Sequence, residues 1–440
     1  MKLNYRRTFF IGLAFMSISA FWQLYDNIVP NILKYTFSFG DTSIGAIMAL
    51  DNIVALFLLP LFGMLSDKTN TKLGKRTPFI LYGTILSTIM MVLLPIANQQ
   101  KSVILFITAL GFVLISMGTY RSPAVSLMPD LTPRELRSQA NAVINLMGAA
   151  GGVLTLVLTK LLVTKNKEGS TNYIPVFVAV AVFMILTVIL LLLKIKEVKF
   201  AKEAQELEER YTATTSNKAL KSQAAEADKL ETKHSSMQPQ VKKSFLLLLA
   251  SIFLWFAAYN AVTSAFSRYV IEVWDLSDTG FANFLMVAMA AAIVSYIPIG
   301  IISSKIGRKK TILIGIGLIT TSYILGSLFV QYSPLIYPVF VLTGFGWAAI
   351  NVNSYPMVVE MSKGGDIGRY TGFYYSVSMT AQVMTPIFSG FLLEHVSYYT
   401  LFPYAVFFST CSFITMVLVR HGDTKPRKKK NSLENFDVED

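Results

Sequence analysis

Twelve stretches of this 440-residue chain are apolar for about 20 residues or more. They run over 8–31, 43–66, 78–97, 102–128, 138–163, 173–194, 244–267, 279–303, 311–331, 334–359, 370–393 and 397–419. At 1.5 Å per residue, about 20 helical residues cross a hydrocarbon core about 30 Å thick. Helices are the expected form, because the bilayer offers backbone groups no water. No stretch alternates like a membrane barrel strand. The polar breaks carry a repeat. Residues 63–76 read GMLSDKTNTKLGKR and residues 300–310 read GIISSKIGRKK. Each copy follows an apolar run, precedes another, and contains glycine followed by two basic residues.

The pattern therefore predicts an all-α integral membrane protein with twelve transmembrane helices in two pseudo-symmetric six-helix bundles. The bundles span 1–194 and 244–420. A polar cytoplasmic linker covers 195–243, and a disordered cytoplasmic tail covers 421–440. Within the linker, Lys199 to Tyr211 reads as an exposed helix held by Lys/Glu pairs one turn apart. Residues 1–20 have the basic start and apolar stretch of a signal peptide. The same apolar helix continues through Trp22 to Pro30, which makes it the first span.

Composition agrees: 53% of residues are hydrophobic and 15% charged, against about a quarter charged in soluble domains. With the N-terminus inside, the 39 Lys and Arg divide unevenly. Lys34, Lys101, Lys160, Lys165, Lys167 and Arg268 fall outside, Arg121 falls within a span, and the rest are cytoplasmic. This bias places both termini in the cytoplasm of a multi-pass plasma-membrane protein. It also accounts for the net charge of +13 without nucleic acid.

The sole cysteine is Cys411, and the three histidines are scattered. No metal ligand set, nucleophilic triad, phosphate loop or nucleotide fingerprint is present, so neither a cofactor nor enzymatic activity is expected.

Gly63, Asp67, Gly74, Lys75 and Arg76 form a Gly-x-x-x-Asp loop ending in basic residues. This loop resembles the signature of the major facilitator superfamily. The fuller string SDKTNTKLGKRTPFIL is similar to the SDR…GRRRPFI of its sucrose-transporter and glycoside–pentoside–hexuronide:cation symporter branch. LMPDLTPRELRSQANAVINLMGA resembles bacterial members of that branch. The resemblance implies the twelve-helix fold and cation-coupled carriage of a sugar or glycoside. Two features depart from it. Ala55 and Leu59 stand where melibiose-type carriers have an aspartate pair, with Asp51 a turn earlier. Val125 stands where plant sucrose carriers have an arginine, with Arg121 a turn earlier.

Asp67 is the one acid among Lys68, Lys72, Lys75 and Arg76, an arrangement suited to a conformational latch. Asp130, Arg137, Glu360 and Arg369 occupy equivalent span ends and are expected to form similar pairs. Asp26, Asp51 and Arg121 lie inside spans. Each costs about 2.5–3.5 kcal/mol at the bilayer centre, so such residues usually face a bundle interior or a water cavity.

The repeat serves as a ruler. Asp26 corresponds to Asn260, Asp51 to Ala288 and Arg121 to Ser354, so all three charges belong to the first half. This asymmetry assigns proton coupling to Asp26 and Asp51. It assigns substrate contacts to Trp22, Gln23 and Arg121 in the first half, and to Tyr259, Asn260, Asn351, Asn353, Tyr374 and Gln382 in the second. Hydrogen-bonding groups and flat rings together suit a sugar. The sequence thus predicts a monomeric secondary active transporter performing proton-coupled sugar or glycoside symport. A drug or metabolite exporter of the same fold is the alternative, and a non-transporting membrane sensor is a more distant one.

Overall fold

The computed structural model describes residues 3–133, 136–165, 170–219, 239–361 and 367–421. Linker residues 220–238 and the tail beyond His421 lie outside the described residues. The first six membrane helices are α1 (Tyr5–Tyr35), α2 (Asp41–Lys68), α3 (Thr77–Gln99), α4 (Val103–Asp130), α5 (Arg137–Leu162) and α6 (Ile174–Lys194). A short hairpin of β1 (Thr164–Lys165) and β2 (Thr171–Asn172) joins α5 to α6. The linker contributes α7 (Glu197–Ala219). Then follow α8 (Pro239–Glu272), α9 (Phe281–Ile306), α10 (Arg308–Ser327), α11 (Ile336–Glu360), α12 (Ile367–His395) and α13 (Leu401–Leu418).

All twelve apolar stretches are helices long and apolar enough to cross a membrane. Local chemistry sets their ends. The Asn4 side chain accepts a hydrogen bond from the Arg7 amide at 3.1 Å and caps α1. Pro78 and Pro175 begin α3 and α6, where a missing N–H costs nothing. The last stretch starts as a 3-10 turn, Tyr398–Thr400, before α13.

The halves repeat one packing scheme. Helix α1 packs on α5 and α6, α3 on α4 and α6, and α2 on α4. In the second half α8 packs on α12 and α13, α10 on α11 and α13, and α9 on α11. Each half buries its own apolar core. Across the joint, α2 meets α12 and α5 meets α9.

The end of the molecule carrying Tyr5 is here called basal and the opposite end distal. The distal end is closed. Asp41, fully buried at the start of α2, receives Arg268 Nε at 2.8 Å, Lys34 Nζ at 2.6 Å and the Tyr398 hydroxyl at 2.7 Å. The Thr42 amide donates to Glu394 at 2.8 Å, and the Tyr35 hydroxyl to Glu272 at 2.9 Å. Lys160 donates to Asn283 at 2.8 Å, and Thr171 donates to Asp278. Backbones also touch: a Cβ on Gly45 would lie 2.0 Å from the Pro386 carbonyl oxygen, and one on Gly390 2.3 Å from that of Asp41.

The linker helix is docked. The buried Glu197 carboxylate accepts the amides of Lys75, Arg76 and Thr77 at 2.8–3.2 Å and the Thr77 hydroxyl at 2.6 Å. It thereby caps α3, whose first N–H groups have no helical partner. Gly74 makes this possible: its φ is +117°, and any Cβ would strike Glu197. Further along, Glu203 pairs with Arg7 at 3.0 Å, and Arg7 lies 4.3 Å over the Phe200 ring. The exposed linker helix expected over 199–211 is therefore longer and held at its start.

Two measurements follow. Asp41→Asn leaves Arg268 and Lys34 without a carboxylate, and breaking a buried pair costs about 3–5 kcal/mol. With Cys411 replaced by Ser, a cysteine at Ser267 should react several-fold faster with a polar maleimide in the Asp41→Asn background. Glu197→Ala should lower the thermal midpoint and speed proteolysis within α7, because a lost cap costs about 1 kcal/mol.

Candidate functional site

Helix α1 carries a break in its own burial pattern. Tyr25 and Asn27 are buried, yet Asp26 between them is exposed. The distal cluster above it is closed at 0–3% exposure for Asp41 and Arg268. Asp51 of α2 and Arg121 of α4 are half-buried, and both charges act on Asp26. Arg121 also acts on Asp51. No ion pair joins Arg121 to either aspartate. Its guanidinium instead lies 5.6 Å over the Trp22 ring. Asp51 Oδ1 is held by the amide and side chain of Asn52 at 2.6 and 2.7 Å. Trp22, Asp26, Asp51 and Arg121 thus form one group in the first half, with half-buried Gln23 beside it.

In the second half, Tyr259 stacks on Trp347 at 3.7 Å with planes 7° apart, a parallel aromatic face. Asn260 donates to the Phe256 carbonyl at 2.8 Å, and Asn351 and Gln382 are half-buried. Two of the expected contacts are buried in this conformation. Asn353 is 0% exposed; it accepts from Ser303 and donates to the Ala349 carbonyl, which packs α9 against α11. Tyr374 is 3% exposed and meets Ser354, which packs α11 against α12. Neither reaches solvent.

At the basal end, Arg76 organises the first loop. It bonds Asp67 at 2.5 Å, Asp130 at 2.8 Å, the Gly63 carbonyl at 3.2 Å and the Ser66 hydroxyl. Lys75 also reaches Asp130, at 3.1 Å. The expected role of Arg137 in an acid pair is corrected: it donates to the carbonyls of Pro129 and Thr132. Glu360 is held by Arg308 at 2.6 Å, not by Arg369, which lies over Phe373. Each half thus ties its own helices with an arginine–carboxylate pair.

Sequence reasoning missed Asp41, Glu197, Arg308 and Trp347. A signal existed for the first. Lys34 and Arg268 occupy matching positions in the two halves, and a buried cation such as Arg268 requires an acid. Among the described residues, no group of three His, Cys, Asp or Glu is placed to hold a metal ion.

Known proteins resemble this chain in part of its sequence and in its fold. The sucrose transport protein SUC3 of Arabidopsis thaliana is 27% identical over 121 residues, which is 23% of this chain and 20% of that protein. The sucrose transport protein SUT3 of Oryza sativa subsp. indica is 29% identical over 121 residues, 23% of this chain and 24% of that protein. The match therefore spans about a quarter or less of these relatives. The crystal structure of the nucleoside transporter NupG superimposes with a TM-score of 0.66 at 14% identity, covering 95% of this chain and 100% of that one. The POT family transporter PepTSo gives 0.65 at 12% identity, covering 95% and 97%. These structures share the fold. The sequence pattern of the Major Facilitator Superfamily matches residues 10–296 and 270–438, and with its twelve membrane helices in two repeated halves the chain belongs to that superfamily.

Proposed function

We propose that this protein is a monomeric secondary active transporter of the plasma membrane, with cytoplasmic termini, that couples uptake of a sugar or glycoside to protons. The observation that carries the reading is the exposed Asp26 in the middle of a buried helix, grouped with Asp51 and Arg121 beneath a closed distal end. A carboxylate in a restricted, water-reached cavity can take up and release a proton. With the termini inside, this conformation faces the cytoplasm.

Asp26 or Asp51 carries the proton, and Arg121 donates to substrate hydroxyls. Trp22, Gln23, Tyr259, Asn260, Asn351 and Gln382 supply neutral contacts, with Trp347 completing the aromatic face. The partial likeness to sucrose transport proteins supports a carbohydrate. Gly63, Asp67, Gly74, Lys75, Arg76 and Asp130 latch the first half internally, and Arg308 with Glu360 latches the second. Each half then moves as a unit while the joint rocks about the midplane site. One proton crossing about 100 mV supplies about 2.3 kcal/mol, enough for roughly 50-fold accumulation.

Proteoliposomes with an imposed pH gradient test the reading. Labelled disaccharide should accumulate in response to the proton gradient, and a sodium gradient alone should not drive it. Asp26→Asn or Asp51→Asn, or each, should lose accumulation while exchange of internal for external sugar continues. Full coupling in both variants would overturn the assignment of the proton carriers. Efflux of lipophilic cations without sugar uptake would favour an exporter.

A further inference from the structure

Gln23, Asn27 and Asn31 lie four residues apart on α1 and share one face, drifting slowly around the helix. Their exposure falls along the row: Gln23 is half-buried, Asn27 is 3% exposed and Asn31 1%. The row begins beside Trp22 and Asp26 and ends one turn before Lys34, which binds Asp41. It follows the joint between the halves. Gln23 and Met289 of α9 both border Gly152, and Asn31 Oδ1 accepts from Ser267 of α8 at 3.1 Å.

Two atoms of this row are buried without a partner: the acceptor Asn27 Oδ1 and the donor Asn31 Nδ2. Buried polar atoms are satisfied in the great majority of cases, and an unmade hydrogen bond destabilises the fold. Apolar side chains would close this seam at lower cost. One unused donor and one unused acceptor, a turn apart, complement a hydroxyl group, which does both. Parting α1 from α8 would release Asn31 Oδ1 and the Ser267 hydroxyl as well. The seam would then exchange a protein–protein hydrogen bond for protein–ligand bonds of similar strength.

We infer that Gln23, Asn27, Asn31 and Ser267 form a hydroxyl-binding track for a neutral polyhydroxylated ligand, closed in the present conformation and exposed when the distal end opens. A ligand entering distally meets Asn31 and Ser267 first. It passes Asn27 and then reaches Gln23 beside the group of Trp22, Asp26 and Arg121. The track rests on the carbohydrate reading above and adds to it a site used from one side only.

Sidedness provides the test. The full chain is reconstituted, and KM for labelled sucrose, or the disaccharide taken up best, is measured separately for entry from the distal and basal sides. Asn27→Leu and Asn31→Leu should each raise the distal KM about tenfold, as for loss of one hydrogen bond, and leave the basal KM within about twofold. Asn31→Ser, which keeps a donor and an acceptor, should recover most of the loss. Retained basal entry shows that the variants are folded; if Asn31→Leu is not produced, Asn27→Leu and Asn31→Ser decide the matter. An unchanged distal KM, or an equal rise on both sides, overturns the track while leaving the carbohydrate reading intact. If the unaltered protein carries no saccharide, the functional reading fails, and the ligand class assigned here fails with it.

Discussion

One buried carboxylate holds the conformation. Asp41 is fully enclosed at the distal end of α2 and binds Lys34 from its own half together with Arg268 and Tyr398 from the other. Two cations and a hydroxyl converge on the two buried oxygens of Asp41. An isolated charge there would be costly, so the three helices must meet for any of these groups to be buried. The meeting closes the distal end above Asp26. The backbone contacts at Gly45 and Gly390 draw α2 and α12 close enough to complete the seal.

The other charged groups bind within halves. Arg76 with Asp67 and Asp130 ties α2, α3 and α4 together, and Arg308 with Glu360 ties α10 to α11. Glu197 adds the linker helix to the first half by capping α3. Strong bonds inside each half and a separable joint between them suit two bodies that rock. The joint is also unevenly built. Its α2–α12 side has direct backbone contact, whereas the α1–α8 side has charges at its distal end and, below them, amides and hydroxyls, two of whose buried atoms have no partner.

Much of the site is visible in one dimension because a charge within an apolar run stands out. Asp26, Asp51 and Arg121 are such charges, and the structure gathers them. Asp41 was not visible in the same way. It sits at a span boundary, where acids are common, and its cross-half partners lie 227 and 357 residues away along the chain. Asn353 and Tyr374, by contrast, are buried between helices in this conformation. A polar residue in an apolar helix faces a cavity or a buried partner, and only the helix's rotation against its neighbours separates the two.

By itself, the sequence determined the number of membrane helices, the two-fold repeat and the group of intramembrane charges. Apolar length and periodicity are local properties, and backbone hydrogen bonding in a bilayer leaves few alternatives. Tertiary structure decided which end is closed, which arginine meets which acid and which polar side chains reach water. Those outcomes depend on how helices distant in sequence rotate and approach, and hydropathy carries no record of either.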